Sequence, residues 1–149
     1  QNQIPSKQTK LLKFFFELPI VGTFTYHIFT SKYVIRKAFE EDYFYQPGEI
    51  KEKYIYNYLE AAHTGKYYSK TAFASYIGKY MNMNILHELK EINNSILMIG
   101  GAKEKDIETT IENYKYYNPA IETVYIPETK HLPHMESPDE ILKQITMFL

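Results

Sequence analysis

The chain has 149 residues, enough for one domain with a modest core, and its 44% hydrophobic and 23% charged content is that of a globular protein. Seventeen basic and eighteen acidic residues leave a net charge of -1, with neither sign gathered into a long block, so electrostatic binding to nucleic acid or anionic membrane is not expected. Cysteine is absent, which excludes disulfide scaffolds, thiolate metal sites and cysteine nucleophiles.

The first residues, Gln1 to Pro5, are polar, and no apolar run reaches the roughly 18 residues of a membrane span, so neither a signal peptide nor a spanning helix is expected and a cytoplasmic protein is the default. A chain beginning at Gln1 rather than methionine is expected to be processed, trimmed or a fragment. Fifteen tyrosines and nine phenylalanines are concentrated in the first half, where they need a core to fill or a wall to line.

Residues 1–92 read as helices broken by short turns. Lys7 to Leu18 forms a first helix stopped by Pro19, and Ile20 to Phe24 continues into a second apolar stretch. Phe14, Phe15 and Phe16 cannot all face one side of a helix, so at least one is expected to face a partner surface or the missing domain. Ser31 starts a third segment, with Val34, Ile35, Ala38 and Phe39 at helical spacing. Pro47 precedes a stripe of Ile50, Tyr54, Tyr58 and Ala61 or Ala62. Ser69 is a candidate cap for a helix carrying Ala72, Phe73, Tyr76, Ile77 and Tyr80, and Asn84 to Glu91 is a short helical piece.

After Asn93 and Asn94 the pattern becomes strand, helix, strand, helix. Ile96 to Ile99 is a continuous apolar run that suits a strand buried on both faces. Glu108 to Tyr117 has helical spacing and ends at Asn118-Pro119. Ile121 to Ile126 is β-branched and aromatic and is terminated by Pro127. Ser137, Pro138 and Glu140 supply a capping box for a last helix whose buried face is Leu142, Ile145 and Leu149. Strand, crossover helix and strand make a βαβ unit with parallel strands, and loops at the C-terminal ends of such strands carry function. Gly100 to Asp106 and Pro127 to Glu136 occupy those ends, which puts an acidic loop and a histidine loop on one edge.

These residues resemble the C-terminal part of the α/β-hydrolase superfamily. Ile99-Gly100-Gly101-Ala102-Lys103-Glu104 is similar to the Gly-x-x-Asp turn that bears the family's triad acid, with glutamate for aspartate. Thr129-Lys130-His131-Leu132-Pro133-His134-Met135-Glu136-Ser137-Pro138 is similar to the loop that bears the triad histidine, with Lys130 where glycine is usual. The likeness covers about the last 55 residues, and residues 1–92 resemble, less specifically, the family's helical cap. It implies an α/β fold in which a cap segment, residues 1–92, is followed by a β-α-β-α portion, residues 93–149, of the hydrolase core. It also implies ester, thioester or amide hydrolysis by a Ser-His-acid triad, with His131 as general base, Glu104 as the acid that holds its tautomer, and Asp106 as second choice for that acid.

The family's Gly-x-Ser-x-Gly elbow is missing, because none of Ser6, Ser31, Ser69, Ser75, Ser95 and Ser137 has glycine two residues away on both sides. The expectation is therefore a hydrolase piece that supplies histidine and acid, lacks the nucleophile and is inactive alone. It would take a small-molecule substrate when intact, with no cofactor, no metal, no nucleic acid and no membrane partner. Two parallel strands leave open edges, so either the missing N-terminal part of the fold or a second copy is expected to cover them. His134 and Glu136 are expected to support the loop, Glu136 by accepting from loop amides. Two imidazoles in one loop make a poor zinc site, and His27, His63 and His87 read as ordinary helix residues. The alternative from a different class is a non-catalytic helical binding or assembly module whose histidine loop is structural.

Overall fold

The computed structural model describes residues 4–149; residues 1–3, the start of the polar N-terminal stretch, lie outside the described residues. The described residues form two compact units, one from those up to residue 37 with 51–84 and the other from residues 38–50 and 85–149. Residues 38–50 and 85–92, inside the stretch read as a cap, thus belong to the second unit.

The first unit is helical: α1 (Lys7–Glu17), α2 (Val21–Phe29), α3 (Lys32–Ala38, whose last residue is in the second unit), α4 (Glu52–Thr64) and α5 (Tyr67–Ile77). The Ser6 hydroxyl accepts from the Thr9 amide while the Thr9 hydroxyl accepts from the Ser6 amide, which satisfies two free donors at the start of α1. The helix stops where Leu18, before Pro19, turns extended at ψ 138. Gly22 lets α2 press against α1, since a Cβ there would lie 2.3 Å from the Phe16 carbonyl oxygen.

The core between these helices is Phe16, Tyr26, Ile55 and Ala74. Phe16 meets Phe73 edge-on at 5.3 Å and Phe29 at 5.8 Å, and the buried Tyr26 hydroxyl donates to the Ala62 carbonyl. Burial pushes the Tyr26 phenol up from its ordinary value. Lys70 is also buried, and its ammonium donates to the Leu18 carbonyl at 3.1 Å and the Thr23 hydroxyl at 3.0 Å, so it serves as a side-chain cap for the end of α1.

Several expectations about this half need correction. The buried side of α4 carries Ile55, while Tyr58 of the expected stripe is exposed. The buried residues of α5 are Lys70 and Ala74, and Tyr76 and Tyr80 face solvent. Ser69 lies inside α5 rather than before it; the N-cap position is Lys66, with φ 48 and no side-chain cap bond. Of the three consecutive phenylalanines, Phe16 is buried and Phe14 and Phe15 are exposed.

The second unit is mixed. A π-helical turn (Phe39–Tyr43) and a 3-10 turn (Pro47–Glu49) lead off; α6 (Leu86–Glu91), β1 (Ile96–Gly101), α7 (Ile107–Tyr117), β2 (Ile121–Ile126), the one-turn α8 (Pro133–Glu136) and α9 (Pro138–Phe148) follow. The strands pair in parallel, Ile96 opposite Ile121 and Gly101 opposite Ile126. This is the expected βαβ order, and the described residues are thus of mixed α and β structure.

The core of this unit comprises Phe39, Phe44, Leu89, Ile111, Ile121 and Ile126, with Phe39 and Phe44 stacked at 5.5 Å. Buried Asn118 donates to the Leu89 and Ile92 carbonyls at 2.7 and 3.0 Å and accepts from the Ala120 amide at 2.9 Å, fastening α6 to the turn before β2.

Two readings fail here for one reason. β1 is only half-buried from Ile96 to Ile99 rather than buried on both faces, and the expected buried face of α9 is exposed: Leu142 is 63% exposed and Leu149 96%. A sheet of two strands is too narrow to cover the apolar stripe of a helix laid on it. The Ser137 capping box is also not formed, since the Ser137 side chain makes no cap bond. No helix among the described residues is long and apolar enough to cross a membrane.

Candidate functional site at the ends of the two strands

The loops leaving β1 and β2 are knit together by their own backbones. The Ala102 amide donates to the Ile126 carbonyl at 3.0 Å and the Lys103 amide to the Thr129 carbonyl at 2.9 Å, so the parallel pairing continues past the strand ends. Gly101 permits this, because a Cβ there would lie 1.9 Å from the Lys130 carbonyl oxygen. Thr129 is buried and its hydroxyl donates to the Ile126 carbonyl at 3.0 Å, turning the chain toward His131.

The outcome is a meeting of Glu104 and His131. Glu104 Oε2 lies 3.5 Å from His131 Nδ1, with the glutamate side chain 25% and the imidazole 57% exposed. That oxygen is buried and makes no hydrogen bond. At 3.5 Å the contact is an ion pair if the imidazole is charged and is too long for a good hydrogen bond. A closure of about 0.6 Å would make it one of ordinary length and satisfy the orphaned oxygen. Asp106, the other carboxylate of this loop, is exposed and sits at the start of α7 with φ 57.

The histidine loop is held from a second direction, by a segment that sequence reading missed. The Tyr43 ring stacks on the His131 imidazole at 5.4 Å and 24°, and the Tyr43 carbonyl accepts from the His131 and Leu132 amides at 3.1 and 3.3 Å. Glu136 accepts from the Lys130 amide at 2.7 Å and the Tyr45 amide at 2.6 Å, one oxygen to each. It does what was expected of it toward the loop, and it also reaches the 38–50 segment. The Lys130 ammonium donates to the Glu41 carbonyl. The π-helical turn from Phe39, closed by the Phe44 amide donating to the Phe39 carbonyl at 3.0 Å, presents these groups. Its aromatic run was visible in the sequence, but nothing there says which loop it braces.

Chemically, a carboxylate beside Nδ1 favours the tautomer with a proton on that nitrogen and leaves Nε2 free to take up a proton. His134 is exposed in the same loop, and among the described residues no group of three or more His, Cys, Asp or Glu side chains is arranged to hold a metal ion. An open surface cleft of about 480 Å³ lies on α4, lined by Tyr56, Leu59, Glu60 and His63. No protein-family model matches the chain, and no curated protein sequence matches it.

Proposed function

We propose that the chain supplies the acid and base half of a serine-hydrolase triad in an α/β-hydrolase-like protein that cleaves an ester, thioester or amide of a small molecule. His131 is the general base and Glu104 the acid that orients it. The nucleophilic serine and the oxyanion donors come from residues outside this sequence. One observation carries the reading: a buried Glu104 oxygen without a hydrogen bond, 3.5 Å from Nδ1 of a solvent-accessible imidazole. A structural glutamate of this burial would be expected to have spent that oxygen on a donor.

The 149-residue chain is expected to take no stoichiometric label from a serine-directed fluorophosphonate. A longer polypeptide that also carries a Gly-x-Ser-x-Gly elbow is expected to be labelled and to hydrolyse p-nitrophenyl esters. In it, His131→Ala and Glu104→Ala each lower kcat on the order of 10⁴-fold. Labelling of the short chain that disappears when one of its own serines is replaced overturns the external nucleophile; hydrolysis unchanged by His131→Ala overturns the base.

The second reading, a non-catalytic assembly module, is favoured by the exposed apolar residues Leu142, Met147 and Leu149 of the last helix. It expects self-association in sedimentation and no dependence of any activity on His131.

A further inference from the structure

Away from the histidine loop, two more imidazoles face one another within the first unit. His27 of α2 and His63 of α4 bring Nδ1 and Nε2 to 3.2 Å, with ring centroids 5.2 Å apart. The other nitrogen of His63 is 2.7 Å from the Leu59 carbonyl and donates to it, since a carbonyl can only accept. This fixes the His63 tautomer, so that Nε2 carries the lone pair and points at His27. An imidazole that donates one N–H to a backbone carbonyl and offers the other nitrogen is the arrangement found at metal-ligating histidines. The Thr30 hydroxyl stands 3.4 Å from the same Nε2.

We propose that His27 and His63 form a two-imidazole site for a divalent transition-metal ion that accepts few protein ligands, Cu²⁺ or Ni²⁺, which clips α2 to α4. Two nitrogens 3.2 Å apart, each about 2.0–2.1 Å from an ion, subtend an angle of about 100° at it, inside the range of tetrahedral and tetragonal coordination. In the metal-free pair the His27 Nδ1–H donates to His63 Nε2. On binding, that proton moves to Nε2 of His27, whose exposed ring exchanges it with water, and both lone pairs turn to the ion with no net change in protonation. Imidazole donors select these borderline ions over Ca²⁺ and Mg²⁺, which prefer oxygen. No third His, Cys, Asp or Glu converges among the described residues, so the remaining positions are open to water or to an exogenous ligand. In sequence the two histidines are far apart and read as ordinary helix residues; only the fold, which sets Tyr26 of α2 against Ala62 and His63 of α4, brings them together.

The test is calorimetric titration of the full chain with Cu²⁺ and Ni²⁺, with Ca²⁺ as a control, alongside thermal unfolding and electron paramagnetic resonance of the Cu²⁺ form. One equivalent should bind, the unfolding midpoint should rise with metal, and the spectrum should carry two nitrogen couplings. His27→Asn, at an exposed position, and His63→Gln should each weaken binding roughly tenfold or more and abolish the midpoint shift. Circular dichroism checks that both variants are folded. Affinity unchanged in His27→Asn, or affinity lost instead in a His131→Asn, His134→Asn double variant, overturns the proposal.

Discussion

Gly101 and Lys130 approach so closely that a single added carbon on the glycine would sit 1.9 Å from the lysine carbonyl oxygen. The contact is between two backbones, so no side-chain rotation relieves it. Gly101→Ala is expected to separate the loops after β1 and β2 and to cost about 2–4 kcal/mol. Gly100→Ala meets the Ile107 side chain at 2.8 Å instead of backbone, and is expected to cost less. Denaturant unfolding of both variants checks the order, and a milder effect at Gly101 than at Gly100 would contradict it.

Glu136 satisfies the amides of Lys130 and Tyr45 at once. Glu136→Ala removes the acceptor of both, and because the Tyr45 amide is open to water while that of Lys130 is part-buried, it is expected to destabilise by about 1–2 kcal/mol. Hydrogen exchange is the sharper readout: protection at Lys130 and Tyr45 should fall while that at Ile121 and Ile126 in β2 is retained. Equal loss at all four would mean global unfolding and not release of the loop.

Leu142 offers the opposite case. Its spacing marks it as core, yet it is 63% exposed, so Leu142→Lys is expected to change the stability of the isolated chain by less than about 0.5 kcal/mol. A loss of several kcal/mol would show that something covers this face in solution. Analytical ultracentrifugation of wild type and variant would identify a second copy as that cover.

The charge pair of Arg36 and Glu52, joined by Lys32 at 3.4 Å from the other carboxylate oxygen, sets a pH dependence. The Arg36 hydrogen bond holds the Glu52 carboxyl below the ordinary carboxylate range. A group depressed in the folded state stabilises fully above its unfolded value, and the contribution is lost as pH falls through the folded one. Glu52→Gln is therefore expected to flatten the acid limb of the stability profile and leave the neutral limb parallel to wild type. Added salt should shrink the difference, because the pair is exposed.

Elements were legible in the sequence where their signals are local. Ile121–Ile126 is a strand of β-branched and aromatic residues bounded by Asn118-Pro119 and Pro127, and its limits are as read. α9 likewise begins at Pro138, although the serine before it forms no cap bond. Faces were less legible, because the side of an amphipathic helix that is buried depends on how wide a neighbour it meets. Leu142 and Leu149 have the spacing of core residues and no surface broad enough to cover them. At the candidate site, strand order placed the acidic and histidine loops on one edge, the resemblance singled out Glu104 over Asp106, and the Glu104 and His131 side chains lie 3.5 Å apart. The Tyr43 ring on that imidazole had no such cue, since long-range stacking leaves no periodicity.

Asn118 has a consequence of another kind. Asparagines age by deamidation, in which the next residue's backbone nitrogen attacks the side-chain amide. An acid at position 118 would set an anion against the Leu89 and Ile92 carbonyls that the amide now serves. The next residue here is Pro119, whose ring nitrogen bears no hydrogen and cannot close that intermediate. The proline that ends the α7 segment thereby closes the backbone-nitrogen route by which the clamp amide would be lost.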